Sequence, residues 1–105
     1  MSDIYDRDGR PIGMMEWGRL LDNMEYRVIE KTLVRGRWEV STVWMGLDHS
    51  FGQGPPLIFE TMVFDQNAGD ASDHEMRRYA TEQQARDGHA EMVWLVTQLE
   101  DVNEG

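Results

Sequence analysis

Cysteine is absent from this 105-residue sequence, which excludes disulfides, zinc ribbons, thiolate-held iron–sulfur clusters and cysteine nucleophiles together. Positive charge is scarce too. Ten Lys and Arg stand against twenty Asp and Glu, for a net charge of −10, and that excess opposes contact with nucleic-acid backbones or anionic lipid. Long apolar runs are missing as well, since uninterrupted stretches last only a few residues, far short of the roughly 20 that cross a bilayer. No direct nucleic-acid binding and no membrane association are therefore expected. Met1 to Arg10 is polar and acidic, unlike a secretory leader, so a cytoplasmic location is the expectation.

What remains is the composition of one domain, 1–105, long enough to bury a core without metal or disulfide staples. The acidic excess is uneven: from Glu60 onward there are eleven acidic and three basic residues, whereas Arg27, Lys31, Arg35 and Arg37 gather around one predicted hairpin. Such a surface keeps a small protein soluble, and it also raises the alternative of a polyanion (DNA) mimic.

Hydrophobic spacing predicts the elements. Residues 1–12 form an N-terminal arm or short hairpin, with Asp8-Gly9 as its turn. Met14, Trp17, Leu20, Leu21 and Met24 recur at helical spacing and predict a short helix, weakened by Gly18. Tyr26 to Val34 and Arg37 to Leu47 are rich in β-branched and aromatic residues and predict an antiparallel pair turning at Arg35-Gly36. A third strand is expected over Leu57 to Phe64. Both it and the second strand carry apolar groups on their two sides, the mark of central strands.

Asp65 to Glu75 reads as an acidic surface loop, followed by a short edge strand, Met76 to Ala80. Thr81-Glu-Gln-Gln84 has the form of a capping box and starts a long helix. Its stripe of Ala85, Gly88, His89, Met92, Leu95, Val96 and Leu99 would face the sheet, with Gly88 allowing close approach. Glu100 and Asp101 oppose the helix dipole, so fraying near Leu99 is expected. The fold class is α+β: a mostly antiparallel sheet of three to four strands against a C-terminal helix, with a short N-terminal helix.

Candidate chemistry centres on the connector between the second and third strands. Asp48-His49 pairs a carboxylate with an imidazole, which could orient a general base, although an Asp after a strand more often fixes a turn. Phe51 is included with them as a binding residue. Glu60 is a carboxylate on an apolar strand and needs a partner, for which a salt bridge to Arg27, Lys31 or an equivalent base is the simplest account. Gly52-Gln-Gly-Pro-Pro56 is unlike a phosphate loop, because two prolines remove N–H donors and a strand rather than a helix follows. His74 and His89 lack metal-ligand spacing, and neither a metal nor a cofactor is expected. Trp94 falls on the outer side of the long helix, where a large aromatic suggests an interface, homo- or heteromeric.

The run Val40-Ser-Thr-Val-Trp-Met-Gly-Leu-Asp-His-Ser-Phe-Gly-Gln-Gly-Pro-Pro-Leu-Ile-Phe-Glu-Thr-Met-Val-Phe64, with Arg78-Tyr-Ala-Thr-Glu-Gln-Gln-Ala-Arg-Asp-Gly-His-Ala90 after it, resembles a group of small uncharacterised proteins of actinobacteriophages and actinobacteria. The likeness covers about Trp38 to His89 and extends to the N-terminal Tyr-Asp-Arg-Asp-Gly-Arg-Pro-Ile segment. The resemblance implies a context but no activity: a small accessory protein in a bacterial host cell. The acidic surface and Trp94 support the leading expectation, non-covalent binding to a host or phage protein, or homodimerisation. Two alternatives stand beside it. One is a small-molecule or nucleotide binder or hydrolase using the 48–60 loop and strand, and the other is a structural or virion component.

Overall fold

The computed structural model describes residues 3–68 and 73–104. Its elements run α1 (Met14–Leu21), α2 (Met24–Arg27), β1 (Val28–Val34), β2 (Trp38–Trp44), β3 (Phe59–Asp65), a 3-10 turn (Gln66–Ala68), β4 (Asp73–Tyr79) and α3 (Glu82–Glu104). The four strands form one antiparallel sheet in the order β1-β2-β3-β4. This is an α+β fold. The two strands that are apolar on both sides occupy the centre, as their composition requires.

Helix α3 lies across one face of the sheet and touches all four strands. Val34 of β1, Val40, Thr42 and Trp44 of β2, and Phe59, Thr61 and Val63 of β3 are buried beneath it. Ala85, Gly88, His89, Met92 and Val96 supply the helix side. At the end of the sheet near the start of α3, Trp44, Phe59 and Ile58 are covered by Tyr5 and Ile12 of the N-terminal arm and by Trp17, Leu20, Leu21 and Tyr26. The arm turns at Gly9, whose φ is +85°, and is fastened by bridges Tyr5 to Pro11 and Ile4 to Leu47.

Several boundaries differ from the sequence reading for identifiable reasons. Tyr26 and Arg27 belong to α2 rather than β1, because the Asn23 side chain accepts a hydrogen bond from Tyr26 N and caps a helical turn. Strand β2 stops at Trp44, just before Gly46 takes a positive φ of +83°. Of the expected loop 65–75, residues 66–68 form the 3-10 turn and 73–75 already belong to β4, while 69–72 lie outside the described residues. The box at the start of α3 is shifted: Thr81 Oγ1 accepts from Gln84 N, but Gln84 Oε1 accepts from Ala80 N, one residue earlier than expected.

Helix α3 does not end near Leu99. It continues to Glu104 because Arg35 bonds Asp101 and Arg37 faces Glu100 at 3.9 Å, so cations from the β1–β2 turn offset the acidic C-terminus. Glu100 is consequently buried and Leu99 exposed, the reverse of the stripe predicted from periodicity.

Candidate functional site

Asp48 follows the Gly46 turn and anchors the connector. Its Oδ1 accepts from Ser50 N at 2.7 Å and Leu57 N at 3.0 Å, and its Oδ2 accepts from Ser50 Oγ at 3.0 Å. Burial alone would raise its pKa, but these three hydrogen bonds, helped by nearby His49, hold the carboxyl below the usual range. The Asp48 N–H in turn donates to Asp3 O, and Tyr5 N donates to Gly46 O, so the arm fixes the base of the loop. His49 is turned back on its own loop, with Nδ1 3.0 Å from Leu47 O.

Phe51 sits at the tip with φ +55° and a side chain 85% exposed. A bulky residue in the left-handed region is strained, at a cost of about 1 kcal/mol, and here no burial offsets it. Gly52 and Gly54, both at φ +79°, continue the irregular path towards Pro55.

Glu60 lies elsewhere. In β3 it alternates with the helix-facing Phe59 and Thr61, so it projects from the opposite side of the sheet, where Arg78, its partner in the β3–β4 register, donates from Nε at 3.2 Å. The expected ion pair thus exists with a cross-strand neighbour rather than with Arg27 or Lys31; Lys31 faces Glu39 at 3.9 Å. No hydrogen bond or ion pair joins Asp48 or His49 to Glu60 among the described residues. The loop residues form one local cluster, and Glu60 belongs to another. Trp94, on the outer face of α3, is 59% exposed.

Two features were missed in the sequence. The first is a polar chain inside the core. His89 Nδ1 lies 2.7 Å from Thr42 Oγ1, which lies 2.5 Å from Thr61 Oγ1, while His89 Nε2 is 2.8 Å from Thr32 Oγ1 and 3.5 Å from Glu30 Oε2. A carboxylate, an imidazole and a hydroxyl in series resemble a nucleophile triad, but Thr42 and Thr61 are 0% exposed, so no substrate can reach them. Burial holds the His89 pKa below its usual value, and Glu30 opposes that shift. The available signal was three polar residues, Thr42, Thr61 and His89, each set in an otherwise apolar stripe.

The second is the sheet face away from α3. Alternation and register place Lys31 and Leu33, Glu39, Ser41 and Val43, Glu60, Met62 and Phe64, and Met76 and Arg78 on it. Leu33 is 59% and Met76 44% exposed, and Val43, Met62 and Phe64 are only half-buried, whereas their helix-facing neighbours are enclosed. Its charges are neutralised on the face itself, Lys31 by Glu39 and Arg78 by Glu60. The signal was legible in part: β2 and β3 are apolar on both sides, yet the chain has one long helix to cover them.

Among the described residues, no group of three or more His, Asp or Glu is arranged to hold a metal ion, and no helix is long and apolar enough to cross a membrane. No family model, curated protein or solved structure matches this chain.

Proposed function

We propose that this protein acts by non-covalent binding to another protein, with the open face of the sheet as its contact surface. One observation carries the reading: among the described residues, a sheet apolar on both faces has one face covered by a helix and the other left without a layer. Apolar sheet faces are stable when another layer packs on them, and Leu33, Val43, Met62, Phe64 and Met76 have no such layer among the described residues. The ion pairs Lys31–Glu39 and Glu60–Arg78 keep that surface formally neutral on a chain of net charge −10, so covering it strands no unpaired charge. The resemblance to small actinobacteriophage and actinobacterial proteins supplies the setting: an accessory protein in a bacterial cell whose target is a host or phage protein.

A second reading, a mimic of a polyanion such as DNA, has one observation in its favour. Arg7, Arg35, Arg37, Arg77, Arg78 and Arg86 are all engaged by the chain's own carboxylates, so the acidic excess faces solvent. The hydrolase alternative has less support, since Asp48 and Glu60 are each held by separate neighbours.

The test compares what tagged wild type, Met62→Glu and Trp94→Ala retain from an actinobacterial lysate, with circular dichroism verifying each fold. A protein retained by wild type and Trp94→Ala but lost by Met62→Glu supports the sheet-face reading. Retention of nothing above background, or loss only with Trp94→Ala, overturns it. Capture that collapses between 50 and 200 mM salt and competes with duplex DNA selects the mimic instead, because about this range separates electrostatic from apolar binding.

A further inference from the structure

His89 is 1% exposed and ionisable, and its ring nitrogens face Thr42, Thr32 and Glu30. A neutral imidazole offers one donor and one acceptor. If Nδ1 accepts, Thr42 donates to it, Thr61 donates to Thr42, and Nε2–H donates to Thr32. If Nε2 accepts, Thr32 donates to it, Nδ1–H donates to Thr42, and Thr42 donates to Thr61. An imidazolium offers two donors, and the same heavy atoms receive both: Nδ1–H goes to Thr42, which turns its own proton to Thr61, and Nε2–H goes to Thr32. Only hydroxyl rotation separates the protonation states.

A counter-charge is also in place. Glu30 of β1 has Oε2 3.5 Å from His89 Nε2 and Oε1 3.6 Å from Arg86 Nη1, so it stands between the imidazole and a guanidinium without a close bond to either. Arg86 is held independently by Glu82, at 2.9 Å. The other elements under α3 add little charge. Strand β2 presents Trp38, Val40, Thr42 and Trp44; β3 presents Phe59, Thr61 and Val63, with Asp65 at the far end bound to Arg37; and β4 presents Arg77, which is engaged by Glu91 of α3 at 3.3 Å. Among the described side chains, Glu30 is the carboxylate that faces the ring.

We propose that this network lets His89 take up a proton in place, with Glu30 as its counter-charge, so that α3 stays docked on the sheet in mild acid. At neutral pH Glu30 is shared between His89 and Arg86. On acidification Nε2–H stays on Thr32, the Glu30 carboxylate 3.5 Å from Nε2 balances the new charge, and Arg86 keeps Glu82. The hydroxyl chain is the second requirement, because an enclosed imidazolium without two acceptors would be driven into water and would take the helix with it. This inference is independent of what binds the open sheet face.

The test is an NMR titration of the imidazole resonances from pH 8 to pH 4, with backbone amide spectra recorded in parallel, on wild type, Glu30→Gln and Thr42→Val. Wild-type His89 is expected to titrate reversibly while the amide spectrum remains that of the folded protein. Glu30 is about half exposed, so Glu30→Gln folds normally and its His89 pKa falls by about one unit, allowing for solvent screening. Thr42→Val shifts it in the same direction, and Thr42→Ser restores it. If wild-type His89 stays unprotonated until the amide spectrum collapses, protonation in place is overturned. If it titrates identically in Glu30→Gln, Glu30 is not its counter-charge and the proposal fails on that ground.

Discussion

Arg7 and Glu82, 75 positions apart in the chain, are joined by two hydrogen bonds from one guanidinium, Nε at 3.0 Å and Nη2 at 2.7 Å, both to Oε1. The same arginine donates through Nη1 to Tyr26 O at 2.9 Å, and its backbone N–H donates to the Tyr26 hydroxyl at 2.8 Å. One residue of the N-terminal arm therefore ties α2 to the first turn of α3, where a carboxylate is also favoured by the helix dipole. The arm in turn holds the base of the Asp48 loop, so this clasp fixes both ends of the molecule's loop side.

Arg7→Ala should destabilise the fold by about 1–2 kcal/mol, the range for losing a partly shielded, charge-assisted pair. Urea unfolding gives the number. Amide exchange should accelerate first at Asp48 and Tyr5, whose N–H groups bond across the arm contact; unchanged exchange there would mean that the arm is held by its apolar side chains alone.

Gly46 leaves no room for a side chain. Its φ is +83°, and a Cβ would stand 2.7 Å from Trp17 and 2.8 Å from Trp44, the second of which is fully buried. Gly46→Ala should cost about 3 kcal/mol, combining backbone strain with overpacking. Gly18→Ala meets nothing within 4 Å and should be neutral or stabilising. Thermal melts of the two variants side by side provide the check.

Thr42→Val keeps the shape of the core but strands His89 Nδ1 and the Thr61 hydroxyl. A loss of about 1–3 kcal/mol at pH 7 is expected. A double variant with Thr61→Val should recover part of it, since the second orphan is then removed, and chemical denaturation of the cycle measures the coupling.

Stability should fall in two steps as pH is lowered. The folded His89 pKa lies below its ordinary 6.5 because burial disfavours the imidazolium, so the unfolded chain binds the proton first. Stability is full above pH 6.5, declines below it, and levels off once the folded histidine is protonated too. The folded carboxyl pKa values of Asp48 and Glu82 lie below their ordinary 3.8 and 4.5, because burial, which raises them, is outweighed by hydrogen bonds from Ser50 and Leu57 and from Arg7 and Arg86. Their contribution is present above those ordinary values and is lost as pH falls through the folded ones, giving the second step. Denaturation midpoints between pH 8 and pH 3 should show both, and His89→Gln should abolish the first alone.

Much of the architecture was legible from side-chain periodicity. The central strands declared themselves by being apolar on both sides, and the α3 stripe was read from Ala85 to Val96. Errors concentrated where a distant residue decides. The C-terminal turns of α3 are held by Arg35 and Arg37 from a hairpin whose position relative to the helix no local pattern records. Glu60 was recognised as a carboxylate in need of a partner, but which base it meets depends on the β3–β4 register, set across a connection of uncertain length from the sequence alone. The candidate site was less legible still: the sequence grouped Asp48 and His49 with Glu60 as one alternative site, whereas Asp48 is held by Ser50 and Leu57 and Glu60 by its cross-strand neighbour Arg78.

The sequence by itself determined the alternation of apolar groups, the turn at Asp8-Gly9, the cap at Thr81, the acidic excess and the absence of any thiol chemistry, because each depends on neighbours within a few residues. Tertiary structure alone decided that Thr42, Thr61 and His89 share one hydrogen-bonded chain, that Arg7 reaches Glu82, and that, among the described residues, one apolar face of the sheet has no layer over it. The physical reason is range: local propensity acts over one turn or one strand pair, while enclosure and partnership are fixed only when segments distant in the chain are brought into contact.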